Sequence, residues 1–230
     1  MNLYKSIRAK IACRKALWYI IQAHKLKPAK GATTNMVSSF LDELKKNALN
    51  FGATDAKIIS IDIISIQDEI IELCQEPLCE GYGTSIYCPP YAMKPGEFRE
   101  EIRQYQNALL FKTDVDPEIL LSERRYESFR LIYEITTQLE TISLDAGYSL
   151  SKGLAAGSCK PVFCMDYECQ ALIDGISCRY PSLARPSMEA LGINVFKLIE
   201  DVGWEIHPLT SESDPVSVPG GLLAGLVLVA

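Results

Sequence analysis

Two thiol ladders of identical spacing, Cys74-x4-Cys79-x8-Cys88 and Cys164-x4-Cys169-x8-Cys178, dictate what this chain must fold around. A thiolate is a soft donor suited to zinc or to an iron–sulfur cluster, so a repeated ladder implies two related loops wrapped about inorganic centres. Between Cys74 and Pro90 the first loop carries Gly81, Gly83 and three prolines. Glycine turns the chain tightly and leaves amides free to face an anion, and Pro89 and Pro90 bar a helix after the last thiol. The second loop, Gly157 to Pro181, adds Cys159 ahead of its ladder. Its four thiols suffice for a complete site, and Lys160 and Arg179, each adjacent to a cysteine, are placed to offset a cluster's negative charge or to serve as plain surface cations.

The first loop has three cysteines, which leaves a fourth position for water, a substrate, Cys13, His207 or another side chain. An open metal position binds a small molecule; a closed one relays electrons or stiffens the fold. Zinc is the rival metal, since four cysteines also close a tetrahedral structural site. Zinc loops favour closer cysteine pairs than gaps of four and eight residues, which tilts the reading toward iron. His24 and His207 are the only histidines, and a lone histidine beside a strand is ordinarily a packed residue.

Compartment bears on the cysteines. The chain has 230 residues, of which 48% are hydrophobic, enough to bury a core. The apolar run Leu222 to Ala230 falls short of the roughly 20 residues of a membrane helix and reads as a buried terminal strand. Residues 1 to 30 hold eight Lys and Arg and no acid, against 15 basic and 29 acidic residues in the remainder. The apolar stretch from Ala16 to Ala23 imitates a secretory leader poorly, being interrupted by Gln22 and followed by His24 and Lys25. The expectation is a cytoplasmic protein, where eight cysteines serve as metal ligands in preference to disulfides. Leu3, Ile7, Ile11 and Trp18 suit a basic amphipathic helix lying on the acidic body, and no nucleic-acid partner is expected.

Residues 1–35 therefore read as a basic extension and linker, punctuated by Pro28 and Gly31, and 36–230 as one domain. Apolar periodicity predicts helices over Met36 to Phe51, Phe98 to Tyr105, Glu118 to about Ala146, and from Pro186 through Met188, Leu191, Val195 and Ile199 to Gly203. Strands are predicted over Ala56 to Ile66, Ala108 to Thr113, Tyr148 to Ala155, Trp204 to Leu209 and Leu222 to Val229. The fold class is α+β: a mixed sheet with helices packed on it and two cysteine-rich metal-binding loops. The segment Arg185 to Glu189 reads as a helix start, able to receive an anion or plainly capped by Glu189. No phosphate-binding loop, His-Glu-x-x-His helix or nucleophile elbow is present.

Three blocks, Gly52-Ala-Thr-Asp-Ala-Lys-Ile-Ile59, the Cys-x4-Cys-x2-Tyr-Gly-x4-Cys-Pro-Pro loop, and Gly157-Ser-Cys159 with Arg185-Pro-Ser-Met-Glu-Ala-Leu-Gly-Ile-Asn-Val-Phe-Lys197, together resemble an uncharacterised bacterial and archaeal family of cysteine-rich predicted metal-binding proteins. The resemblance covers roughly residues 36 to 209 and reaches the final strand. It implies seven ligands, Cys74, Cys79, Cys88, Cys159, Cys164, Cys169 and Cys178, and matches nothing at Cys13. The expected function is that of an iron–sulfur protein, with one or two clusters of the [4Fe-4S] kind, working with a redox partner. The alternatives are a structural zinc module, and an enzyme taking a small-molecule ligand at an open three-cysteine site.

Overall fold

A computed structural model describes residues 34–76 and 79–230. The basic segment, Cys13 and His24 lie outside the described residues. Four strands form one sheet in the order β1-β2-β4-β3, where β1 is Asp55–Ser60, β2 Asn107–Val115, β3 Lys152–Leu154 and β4 Gly221–Val229. With helices on both of its faces the chain is α+β, as expected. Every pairing is antiparallel, however, in place of a mixed sheet. The reason is the position of β4: β2 and β3 run the same way, and β4 separates them, running opposite to both.

Ala108-Leu-Leu-Phe111 and Leu226-Val-Leu-Val229 are unbroken apolar runs because these central strands are covered on both faces. On one face, Ala56, Leu109, Phe111, Val227 and Val229 meet Phe40, Leu41 and Leu44 of helix α1 (Thr34–Phe51) and Ile132, Ile135 and Leu139 of a long helix (Arg125–Asp145). On the other, Ala108, Leu110, Leu226 and Leu228 meet Phe98, Ile102, Met188, Leu198 and Ile199. Each fully buried leucine or isoleucine in these layers contributes about 1.5–3 kcal/mol.

The remaining helices are short: α2 (Glu69–Gln75), α3 (Pro95–Ile102), α4 (Pro117–Leu120), then the long helix as α5, α6 (Cys159–Phe163), α7 (Gln170–Ile173) and α8 (Val195–Asp201). Local side-chain hydrogen bonds explain where several predicted spans stop. The isoleucine-rich strand ends at Ser60 because the Ser60 hydroxyl accepts from the Asp62 amide and opens a 3-10 turn over Ile61–Ile63. The predicted helix from Glu118 is divided at Ser122, whose hydroxyl accepts from the Arg124 amide. The predicted helix from Pro186 to Gly203 is also two pieces, a 3-10 turn at Glu189–Leu191 and α8, divided by Gly192 at φ 85°. Residue Asn194 caps α8 by accepting from the Lys197 amide.

Trp204 to Leu209 is not a strand. Trp204 is buried and donates from Nε1 to Asp55 at 2.8 Å, with the Lys57 and Lys112 ammonium groups over its ring. The predicted strand from Tyr148 is reduced to β3.

Helix α5 approaches the sheet closely at two glycines. A Cβ on Gly225 would run into the Phe111 ring and stand 2.9 Å from Thr136 Oγ1, and one on Gly153 would stand 2.6 Å from Thr136 Cγ2. Phe111 and Thr136 are wholly buried, so neither can move aside. Gly225→Ala is expected to lower stability by about 1–3 kcal/mol through overpacking, read as a shift in the urea midpoint at unchanged slope.

Candidate metal centre

The second cysteine loop leaves the sheet at the end of β3. The chain turns at Gly157, φ 64°, where a Cβ would stand 2.8 Å from the Phe129 ring of α5. The Tyr133 hydroxyl, also on α5, donates to Gly157 O at 3.1 Å. Ser158 then caps α6, accepting from the Lys160 amide, and Phe163 at the far end packs edge-on against Tyr133 with ring centroids 5.2 Å apart. Aromatic groups of one helix thus set the height and angle at which Cys159 is presented.

The first loop is folded by its own turns. Ser85 is buried; its carbonyl accepts from the Cys88 amide and its hydroxyl from the Tyr87 amide. The Gly83 amide donates to Pro89 O at 2.7 Å, closing the loop on itself. Cys74 lies in α2, and the Cys79 amide returns to Cys74 O.

The two loops meet at a seam built from reciprocal serine and cysteine contacts. Cys88 Sγ lies 3.3 Å from Ser158 Oγ, and Cys159 Sγ lies 3.6 Å from Ser85 Oγ, so each loop offers a hydroxyl to the other's thiol. Gly81 sits in the same seam, where a Cβ would stand 2.7 Å from Ser158 Cβ and 3.2 Å from Cys88 Sγ. Cys88 and Cys159 are both buried, Cys79 is exposed, and Cys74, Cys164, Cys169 and Cys178 are partly buried. All seven are free thiols, so the disulfide alternative is not realised among the described residues.

Electrostatics show which thiols are neighbours. Burial pushes Cys159 up to about 12, with Cys88, Cys178 and Cys169 adding to the rise and the Ser85 hydroxyl opposing it. Burial likewise pushes Cys74 up to about 11, helped by Cys79, Glu189 and Cys88. Cys88 is raised by burial and by Cys79 and Cys169, against the hydroxyls of Ser158 and Ser85. Cys88 thus neighbours both groups. Cys164 ends α6, its amide bonded to Lys160 O, and packs beside the core under α5.

The thiols suit metal in further ways. The Gly81 amide points at Cys79 Sγ and the Tyr180 amide at Cys178 Sγ, each at 3.4 Å, the arrangement that stabilises a metal-bound thiolate. Among the described residues no three His, Cys, Asp or Glu side chains converge closely enough for one metal ion. Four thiolates around a single zinc stand only about 3.8 Å apart, whereas a cluster has greater girth. Lys160 is committed to Cys164 O and Met165 O, and Arg179 to Glu168 O and the Tyr167 ring, so both cations brace the second loop's backbone.

A cavity of about 610 Å³ opens beside Cys74, Cys79 and Cys88, which line it together with Glu189, His207 and Arg125. Much of the rest of its wall is apolar, from Leu120, Phe129, Val195 and Ile206. The volume is that of a small-molecule site. Glu189, a member of this wall, gave no signal in sequence spacing. The segment Arg185 to Glu189 does not begin a helix that could receive an anion; Arg185 is instead paired with Glu140 of α5.

The raised thiols carry a sign. In the unfolded chain they ionise from their ordinary value of 9.0, while in the fold Cys74 and Cys159 stay protonated to about 11 and about 12. The metal-free protein should therefore hold this stability in full below pH 9 and lose it as pH climbs toward about 12. Urea unfolding of metal-free protein across that range checks this, and Cys74→Ser with Cys159→Ser should flatten the dependence.

A family model described as predicted metal-binding protein (DUF2284) matches residues 57–224. No curated protein and no solved structure matches the chain.

Proposed function

Because the chain belongs to this family of predicted metal-binding proteins, we propose that its seven thiols hold iron–sulfur centres and that the protein carries electrons in the cytoplasm. The seam between the loops is the observation that carries the reading, since it brings Cys88 of the first loop and Cys159 of the second to a single buried place. Cys159, Cys164, Cys169 and Cys178 would hold a [4Fe-4S] centre, and Cys74, Cys79 and Cys88 a neighbouring one. Such a centre supplies a one-electron couple; the protein's part is to bury it, direct amides and hydroxyls at its sulfurs, and so tune its potential. The exposed Met165, Tyr167, Ile173 and Ile176 give the second loop an apolar surface suited to a transient redox partner.

The cavity beside the first three thiols favours a second reading, an enzyme whose first site meets a small molecule. A structural zinc module is the remaining alternative. Anaerobically purified protein should be brown, bleach on reduction and contain iron and sulfide in equal amounts; colourless protein with stoichiometric zinc would refute the iron reading. Cys88→Ala and Cys164→Ala count the centres. Partial, complementary iron loss from the two variants means two centres, and complete loss from either means one shared centre.

A further inference from the structure

Glu189 is a partly buried residue whose carboxylate pairs with no cation among the described residues. It lies on the 3-10 turn Glu189–Leu191, whose frame is held from several directions. Residues Pro186 to Met188 are zipped to Ala155 at the end of β3 by backbone hydrogen bonds in both directions. Gly192 O accepts from the Gln67 amide, and a Cβ on Gly192 would stand 2.8 Å from Gln67 O. The Asn194 amide donates to Ser65 O and its side chain to Gln67 Oε1. The carboxylate is therefore held in place by a rigid turn.

Helix α2, which carries Cys74, packs against this turn. Glu189 and the three thiols Cys74, Cys79 and Cys88 line the same cavity. Its Oε2 is buried and has no hydrogen-bond partner among the described residues. Arg125, which lines the same cavity, is engaged with Glu80. A buried carboxylate oxygen without a partner is costly unless an ion meets it.

We propose that Glu189 is the fourth donor of the three-cysteine site, its carboxylate joining Cys74, Cys79 and Cys88 around an iron–sulfur cluster at the cavity wall, a centre wider than the single ion these side chains are too far apart to share. The assignment rests on the reading of those three thiols as metal ligands. It also gives the cavity a use. A carboxylate oxygen is a harder donor than sulfur and binds iron less firmly than a thiolate, so this is the position at which an incoming small molecule displaces the protein.

The test uses the full chain, purified anaerobically, as wild type and as Glu189→Ala, Glu189→Gln, Glu189→Cys, His207→Ala and Cys74→Ala. Metal per chain, the rate of metal loss to a chelator, and X-ray absorption fine structure at the metal edge are measured. Glu189→Ala should release metal to the chelator at least about tenfold faster than wild type. Glu189→Cys should restore retention and remove the oxygen contribution from the absorption spectrum, while His207→Ala behaves as wild type. Glu189→Gln, matched in shape, shows by an unchanged urea midpoint that the loss is not unfolding. If Cys74→Ala loses metal while Glu189→Ala retains it as wild type does, or if His207→Ala is the variant that loses it, the assignment of Glu189 is overturned. If Cys74→Ala keeps its full complement, the parent reading of the three thiols fails instead.

Discussion

Cys159→Ala should lose the metal assigned to the second loop, and with it the order of the segment from Gly157 to Pro181. Apart from the two short helices α6 and α7, that segment contains turns and no strand, so the centre's binding energy is its folding energy. For small metal-dependent folds this amounts to about 10 kcal/mol or more. Cys159 has the largest role because it is buried at the seam and paired with Ser85, so its removal also loosens the first loop. Metal analysis checks the first consequence and limited trypsin digestion the second. Cleavage at Arg179, which donates to the Glu168 carbonyl in the intact protein, should appear in the variant and not in wild type. Full metal content with unaltered digestion would refute the role of Cys159.

Glu140→Ala should cost about 3–5 kcal/mol, because it strips the partner from a largely buried guanidinium. Glu140 Oε2 accepts from Arg185 Nε at 2.7 Å and pairs with its Nη2 at 2.6 Å, while Oε1 accepts from the Gly153 amide at 2.7 Å. One carboxylate thereby joins α5, β3 and the chain that returns from the second cysteine loop. Alanine leaves an unpaired cation and an orphaned amide together. Urea denaturation of the metal-free protein measures the loss; Arg185→Ala alone should also be destabilising, and the double variant less so than the sum of the two.

Much of this molecule could be read ahead of its coordinates. The repeated ladder located six thiols and the second cluster a seventh, Cys159; in the structure all seven are free, with Cys88 and Cys159 meeting across the seam. Apolar runs such as Ala108 to Phe111 and Leu226 to Val229 marked the central strands, because a strand covered on both sides has no polar alternation to disguise it. Errors arose where one side chain outbid periodicity. Ser60 ended an isoleucine run that looked strand-like to Ile66, and Gly192 with Asn194 broke a helical pattern in two. Glu189 was unreadable for a different cause: its placement depends on α2, Ala155 and Gln67, which are distant in sequence, and no local spacing records that meeting.

Strand β4 follows every cysteine in the chain, yet it occupies the interior of the sheet and is, among the described residues, the only strand that β3 pairs with. During synthesis the thiols therefore emerge from the ribosome before the platform beneath them is whole. Until Gly221 to Val229 has been made and has slotted between β2 and β3, the second loop has no finished edge to hang from. On the proposed reading, a metal taken by the second loop would be seated securely only after that strand is in place.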